Sequence, residues 1–214
     1  MTTILVFCAH SDDQIFGLGG TLAKYAEEGA RIYTYIFSFG EQSHPWLKRH
    51  VSVEMRKKES EKADKVIKGS GVRFFDLREG HFLEDAEKKG IKEKVKDIIK
   101  KKKPDKIFIH SEDDPHPDHK AINSIILDVV DSLREKIDVY SFDVWNPVKL
   151  RKRDSPKMVV DTSSTFKTKI NALKCFASQK MTMIFLLVPG VYLRDFFNGL
   201  NNHARFAEVF RKVR

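Results

Sequence analysis

The sequence predicts an α/β protein, a single Rossmann-like domain over residues 1–214 with a mostly parallel sheet flanked by helices. Three observations carry this. Short apolar runs recur along the first half of the chain, as in strands covered on both faces. Between them lie stretches whose apolar residues repeat at helical spacing. The connections are short, and repeated β-α-β units of that kind build a doubly wound sheet.

The elements follow in order. Residues 4–9 form a continuous apolar strand. Ile15, Leu18, Leu22 and Tyr25 then mark a helix that Gly29 stops. Residues 32–39 are rich in aromatic and β-branched side chains, as a second strand requires. The polar stretch 53–68 reads as a surface helix ended by Gly69-Ser70-Gly71. Two further strands are expected at 72–77 and 106–110, with a helix carrying Ile91, Val95, Ile98 and Ile99 between them. After His119, the set Ala121, Ile122, Ile125, Ile126, Val129, Val130 and Leu133 gives a strongly amphipathic helix. The regular core thus covers 1–135, and 136–214 is the C-terminal portion of the same domain. Strands are expected there at 139–145, 158–161 and 206–213, a helix at 166–177, and a helix at 181–200 broken at Pro189.

The bulk properties narrow the function classes. Hydrophobic residues make up 41% and charged residues 32%, a soluble globular composition. The start lacks a basic segment before its apolar run, so no secretory signal is expected. No apolar run is long enough for a membrane span. Cys8 and Cys175 sit in dissimilar contexts, which argues against a disulfide framework and fits the reducing cytoplasm. The net charge of +9 suits an anionic partner, but the densest run, Lys100-Lys101-Lys102-Lys103, ends the Ile91 helix. Lysines there complement the helix dipole. No nucleic-acid reader motif is present, and no nucleic-acid partner is expected. A homo-oligomer is compatible with the chain.

Two clusters carry chemistry. His10-Ser11-Asp12-Asp13-Gln14 follows the first strand, and Asp113-Asp114-Pro115-His116-Pro117-Asp118-His119 follows the strand ending at His110. Ligands in open parallel sheets sit outside the carboxyl ends of the strands, where both clusters fall. Zinc favours His nitrogen and carboxylate oxygen, commonly three protein ligands and a water. His10 and Asp13 can grip one ion from one side and His119 can close it from the other, if their strands are neighbours. Asp12 is then spare as a general base, and His116, one turn from His119, can meet a substrate carbonyl. Asp118 can orient an imidazole and favour its protonated form. Alone, the first cluster reads equally well as a helix cap. Two histidines with three nearby carboxylates exceed what a cap requires, and together the clusters read as a metal site. Gly17, Gly19 and Gly20 resemble a dinucleotide loop, but they lie inside a helical pattern, so close helix–sheet packing is the expectation.

Here the chain resembles the LmbE-like/PIG-L deacetylase family. His10-Ser11-Asp12-Asp13-Gln14 with the glycines after it is similar to that family's Ala-His-Pro-Asp-Asp-Glu signature, and His116-Pro117-Asp118-His119 matches its second motif unchanged. Phe39-Gly40-Glu41, Arg56 with Glu59, residues 166–179 and the ending Phe206-Ala207-Glu208-Val209-Phe210 are also similar. The resemblance implies a zinc-dependent hydrolase of N-acetyl groups on N-acetylglucosamine-type sugars, with another divalent first-row metal as a substitute. It implies metal at His10, Asp13 and His119, Asp12 as base, and His116 stabilising the oxyanion or protonating the amine with Asp118 behind it. Arg56 would contact substrate, and Glu79 would occupy an acidic sugar-binding position. Two departures stand out: Ser11 replaces Pro, and Gln14 replaces Glu, removing a charge near the metal. With that charge gone, a non-catalytic zinc-containing protein that binds a sugar or anion is the alternative.

Overall fold

The computed structural model describes residues 1–40, 42, 46–133, 135–144, 156–179 and 188–214. The expectations touching Glu41, Trp145 and residues 181–187 lie outside them.

Seven strands form one sheet: β1 (Thr3–Cys8), β2 (Arg31–Ile36), β3 (Val72–Phe74), β4 (Lys106–His110), β5 (Asp138–Phe142), β6 (Lys157–Asp161) and β7 (Ala207–Lys212). Their order is β3-β2-β1-β4-β5-β7-β6. The five strands from β3 to β5 are parallel, while β7 runs antiparallel to both β5 and β6. All six residues of β1 are buried because helices cover both faces. Ile4, Val6 and Cys8 enter one core and Leu5, Phe7 and Ala9 the other, the two-residue period of a strand.

The first core is closed by α1 (Asp13–Glu27), α2 (Arg49–Val66), α6 (Phe166–Leu173) and α7 (Val188–Leu200). The second is closed by α3 (Phe82–Lys88), α4 (Ile91–Lys102) and α5 (Pro117–Asp131). No helix among the described residues is long and apolar enough to cross a membrane.

Several boundaries differ from expectation, each for a local reason. Helix α2 starts four residues before Val53, and α5 starts at Pro117, whose fixed φ suits a first helical turn. The seven residues of α3 are too few to show a period. Helix α6 stops at Leu173, and a separate 3-10 turn covers Ala177–Gln179. Pro189 sits in the first turn of α7 and does not break it. The glycines of α1 serve packing: a Cβ on Gly17 would lie 2.2 Å from the Phe142 ring.

Helix α1 kinks at Leu18 (φ −147°, ψ 19°). The Glu208 carboxylate, reaching from β7, accepts from the freed Gly20 and Thr21 N–H groups at 3.1 and 2.7 Å. Lys169 Nζ, fully buried, lies 2.6 Å from both Glu208 and Asp195. This ion cluster ties α1, α6, α7 and β7 together.

Candidate metal centre

Strands β1 and β4 are neighbours at the centre of the sheet, where the strand order reverses. Their two clusters, about a hundred residues apart in sequence, therefore share one edge, as the topology of such sheets demands. Asp13 opens α1 and its Oδ2 accepts from the His10 backbone N at 2.7 Å, folding the loop back on itself. His119 enters from the first turn of α5.

Three atoms then converge. His10 Nδ1 and His119 Nε2 each lie 3.4 Å from Asp13 Oδ2, and 3.4 Å from each other. A tetrahedral ion with ligand bonds of about 2.1 Å has ligand–ligand edges of about 3.4 Å, so the triangle fits zinc-sized coordination without rearrangement. Charge points the same way. Burial opposes a proton on His10, yet Asp13 and Asp118 raise it to about 10. Burial likewise opposes charge on His119, but Asp13 and Asp114 lift it to about 9. Burial works against the Asp13 carboxylate too, and the imidazoles of His119, His110 and His10 overcome it, holding it well below the usual range. Two bound protons thus supply the double positive charge that a divalent cation brings.

Both imidazoles of the triangle are backed by a carboxylate. His10 Nε2 lies 3.3 Å from Asp118 Oδ2, and Gly80 N donates to Asp118 Oδ1 at 2.9 Å. His119 Nδ1 lies 2.9 Å from Asp114 Oδ1, near enough for charge pairing though off the line of a hydrogen bond. Asp114 is held in turn by the backbone N–H groups of His116 (3.0 Å) and Val144 (3.3 Å). Such backing fixes ring orientation and raises ligand basicity.

The other expected residues surround this core. Asp12 is the N-cap of α1, but its carboxylate makes no cap bond and faces Arg56 Nη2 at 3.1 Å. Arg56 is 2% exposed, buried beneath Asp12 with Glu59 and Ser178 each 3.5 Å from Nη1. His116 caps α5, its Nδ1 accepting from Asp118 N at 3.2 Å, and its ring lies 4.9 Å from His10 and 4.8 Å from His119. The Asp118 carboxylate therefore pairs with the His10 ring, while its backbone N donates to His116 and its charge acts on His116 from within 4.8 Å. Burial and the neighbouring His10 and His119 push His116 below its usual value. Glu79 is half-buried beside the site, taking Gln42 N at 3.3 Å, and its charge helps to raise His10. Gln14 points away from the triangle: its amide donates to Ser11 O at 3.3 Å and accepts from Cys8 Sγ at 3.6 Å. The missing carboxylate is absorbed into packing behind β1.

Two contributors were not assigned from sequence. Asp114 lay within the second cluster with nothing to single it out. His110 ends β4 and stacks on His119 at 3.8 Å, its Nε2 accepting from Ala9 N at 3.0 Å. Burial and the charge on His119 push it down to about 4, so it packs as a neutral ring. Its position at a strand terminus on the ligand edge was the available signal.

Known proteins are similar to this chain. A 4-oxalmesaconate hydratase of Pseudomonas putida is 29% identical over 194 residues, covering 82% of this chain and 73% of that protein. A probable N-acetyl-α-D-glucosaminyl L-malate deacetylase of Bacillus cereus is 23% identical over 188 residues, covering 85% of each. The N,N'-diacetylchitobiose deacetylase of Pyrococcus horikoshii superposes with a TM-score of 0.85 at 19% identity, over 99% of this chain and 84% of that one. The family model described as PIG-L, GlcNAc-PI de-N-acetylase, matches residues 5–130, and the chain belongs to that PIG-L, or LmbE-like, family.

Proposed function

We propose that the protein is a metal-dependent N-deacetylase that removes the acetyl group from an N-acetylglucosamine-type sugar or glycoconjugate. The observation that carries this is the 3.4 Å triangle of His10, Asp13 and His119 with the Asp12 carboxylate beside it and outside it. A divalent first-row cation in that triangle, zinc by choice of donors, supplies a Lewis acid for the acetyl carbonyl and acidifies water. Asp12, oriented by Arg56, takes the proton of the attacking water and passes it to the amide nitrogen as the C–N bond breaks. Because His116 Nδ1 accepts from Asp118 N, its proton sits on Nε2, which can donate to the developing oxyanion. Asp118 holds the His10 ring, and Glu79, half-buried beside the site, is the acid that would meet a sugar hydroxyl. The products are acetate and a free amine. The two unbonded cysteines fit a reducing compartment such as the cytoplasm.

A second reading is hydration of an unsaturated carboxylate, favoured by the 29% identity to a hydratase against 23% to the malate deacetylase. Acetate release from a panel of N-acetylated amino sugars, with and without chelator, decides between them when 4-oxalmesaconate is assayed alongside. Chelator-sensitive acetate release supports deacetylation. Consumption of 4-oxalmesaconate with no acetate release from any sugar overturns it, and inactivity on both despite bound metal favours a non-catalytic binding protein.

A further inference from the structure

The helix dipole accounts for the charge of the lysine run that ends α4, but not for where Lys101 and Lys102 lie. Both line a groove of about 850 Å³ that follows the outer edge of β3, the last strand on its side of the sheet. Lys57 of α2, Arg73 of β3 and Lys94 of α4 line it as well, and Asp97 is the one acid among its lining residues. None of the five cations has a carboxylate oxygen within 4.0 Å among the described residues. Lys102 Nζ sits 3.4 Å from the centre of the Tyr33 ring, a cation–π contact that leaves its charge uncancelled. Between the basic banks the lining is apolar and aromatic, with Phe74, Phe75 and Ile98 half-buried. Phe39 joins groove and metal centre. Its ring stacks on Phe74 at 4.7 Å, while its carbonyl oxygen accepts from Ser11 Oγ and Arg56 Nε.

Basic residues often guard a sheet edge against pairing with another chain. That explains Arg73 but not lysines on two flanking helices, and β3 offers only three residues of edge to guard. The same shortness disfavours an acidic peptide added as a strand. A cationic groove with aromatic side chains along it is the arrangement that tracks a phosphodiester backbone and stacks bases. We propose that this groove binds single-stranded nucleic acid. The net charge of +9 acts in the same direction. The proposal departs from the expectation of no nucleic-acid partner, which rested on the absence of a reader motif, and it is independent of the deacetylase reading.

The test is fluorescence anisotropy of a short labelled oligouridylate with the intact protein across a salt series. Each phosphate neutralised on a single strand contributes about −0.7 to the slope of log K against log salt, so five contacts predict a slope of about −3.5. The K94A/K101A variant should lower that steepness by about 1.4 and weaken binding roughly tenfold at physiological salt. The K136A/K167A variant, which removes the same charge outside the groove, should leave both unchanged. Metal content and thermal midpoint should match wild type in all. No binding, equal losses in the two variants, or displacement of the RNA by polyglutamate at equal charge concentration would each overturn the proposal.

Discussion

Arg56 Nη2 lies 3.1 Å from Asp12 Oδ2, and the guanidinium that makes this contact is 2% exposed. Its Nε donates to Phe39 O and its Nη1 to Glu59 and Ser178 Oγ, and Glu59 is itself fixed by Ser178 N and Oγ, each at 2.7 Å. A buried cation held this way cannot reach far into a substrate pocket. It can set the direction of the carboxylate above it.

Asp12→Asn should therefore retain metal, because the triangle is intact, and lose turnover roughly a hundredfold to ten-thousandfold, the usual contribution of a general base. Metal analysis beside acetate release checks both halves, and wild-type turnover in this variant would remove Asp12 from the role.

Arg56→Gln separates positioning from substrate contact. Loss of orientation lowers kcat with KM little changed, whereas loss of a substrate contact raises KM. The expected outcome is the first, read from full saturation curves. A KM increase with unchanged kcat would return Arg56 to the substrate-binding role that the family resemblance implied.

Asp114→Asn should weaken metal binding 10- to 100-fold, the usual cost of losing a carboxylate behind a ligating imidazole. His119 would keep its place in α5 but lose the charge 2.9 Å from Nδ1. Competition titration against a chelator measures this directly, and an unchanged affinity would show that Asp114 only caps its loop.

These residues also show how far the sequence reaches. The strands of the parallel core and both clusters were legible, because β1 and β4 are buried runs with polar switches at their carboxyl ends. Helix α2 was legible as a helix from its pattern, but as part of the site only through the family resemblance that singled out Arg56. Its buried face is Ser52, Arg56, Glu59, Ser60, Ala63 and Asp64, almost wholly polar, and a period count cannot tell such a face from solvent. Which imidazole each carboxylate backs was not legible, for another reason. Asp118 and Asp114 are chosen between His10, His116 and His119 by loop geometry at ångström scale, which spacing in sequence does not encode.

Lys169→Met tests the ion cluster behind α1. The substitution leaves Asp195 and Glu208 buried without their shared ammonium. Asp195 keeps Arg194 Nε at 2.9 Å, so one carboxylate charge is left in excess; breaking a buried pair by removing one partner typically costs about 3–5 kcal/mol. Urea unfolding of the metal-loaded protein should show a loss of that order. A loss below about 1 kcal/mol would mean that water or a nearby group replaces the ammonium.

Asp64 carries the pH prediction. It lies in the last turn of α2, 6% exposed, and its Oδ2 accepts from Gly71 N at 3.1 Å while Oδ1 has no partner. Burial outweighs that one bond and raises its carboxyl to about 6, from an ordinary 3.8. An acid whose pKa is higher in the folded state binds its proton more tightly there. Its contribution to stability is therefore fully present below pH 3.8 and is lost as the pH rises through about 6. The full shift corresponds to about 3 kcal/mol, and partial solvation of the group reduces this to about 1–2 kcal/mol. Asp64→Asn keeps an acceptor for Gly71 N and stays neutral at every pH. It should raise the thermal midpoint at neutral pH and converge with wild type at about pH 3, below the ordinary 3.8, where Asp64 is protonated in both states. Measured melting curves at the two pH values settle the sign, since a variant destabilised equally at both would mean that the carboxylate is needed as a charge.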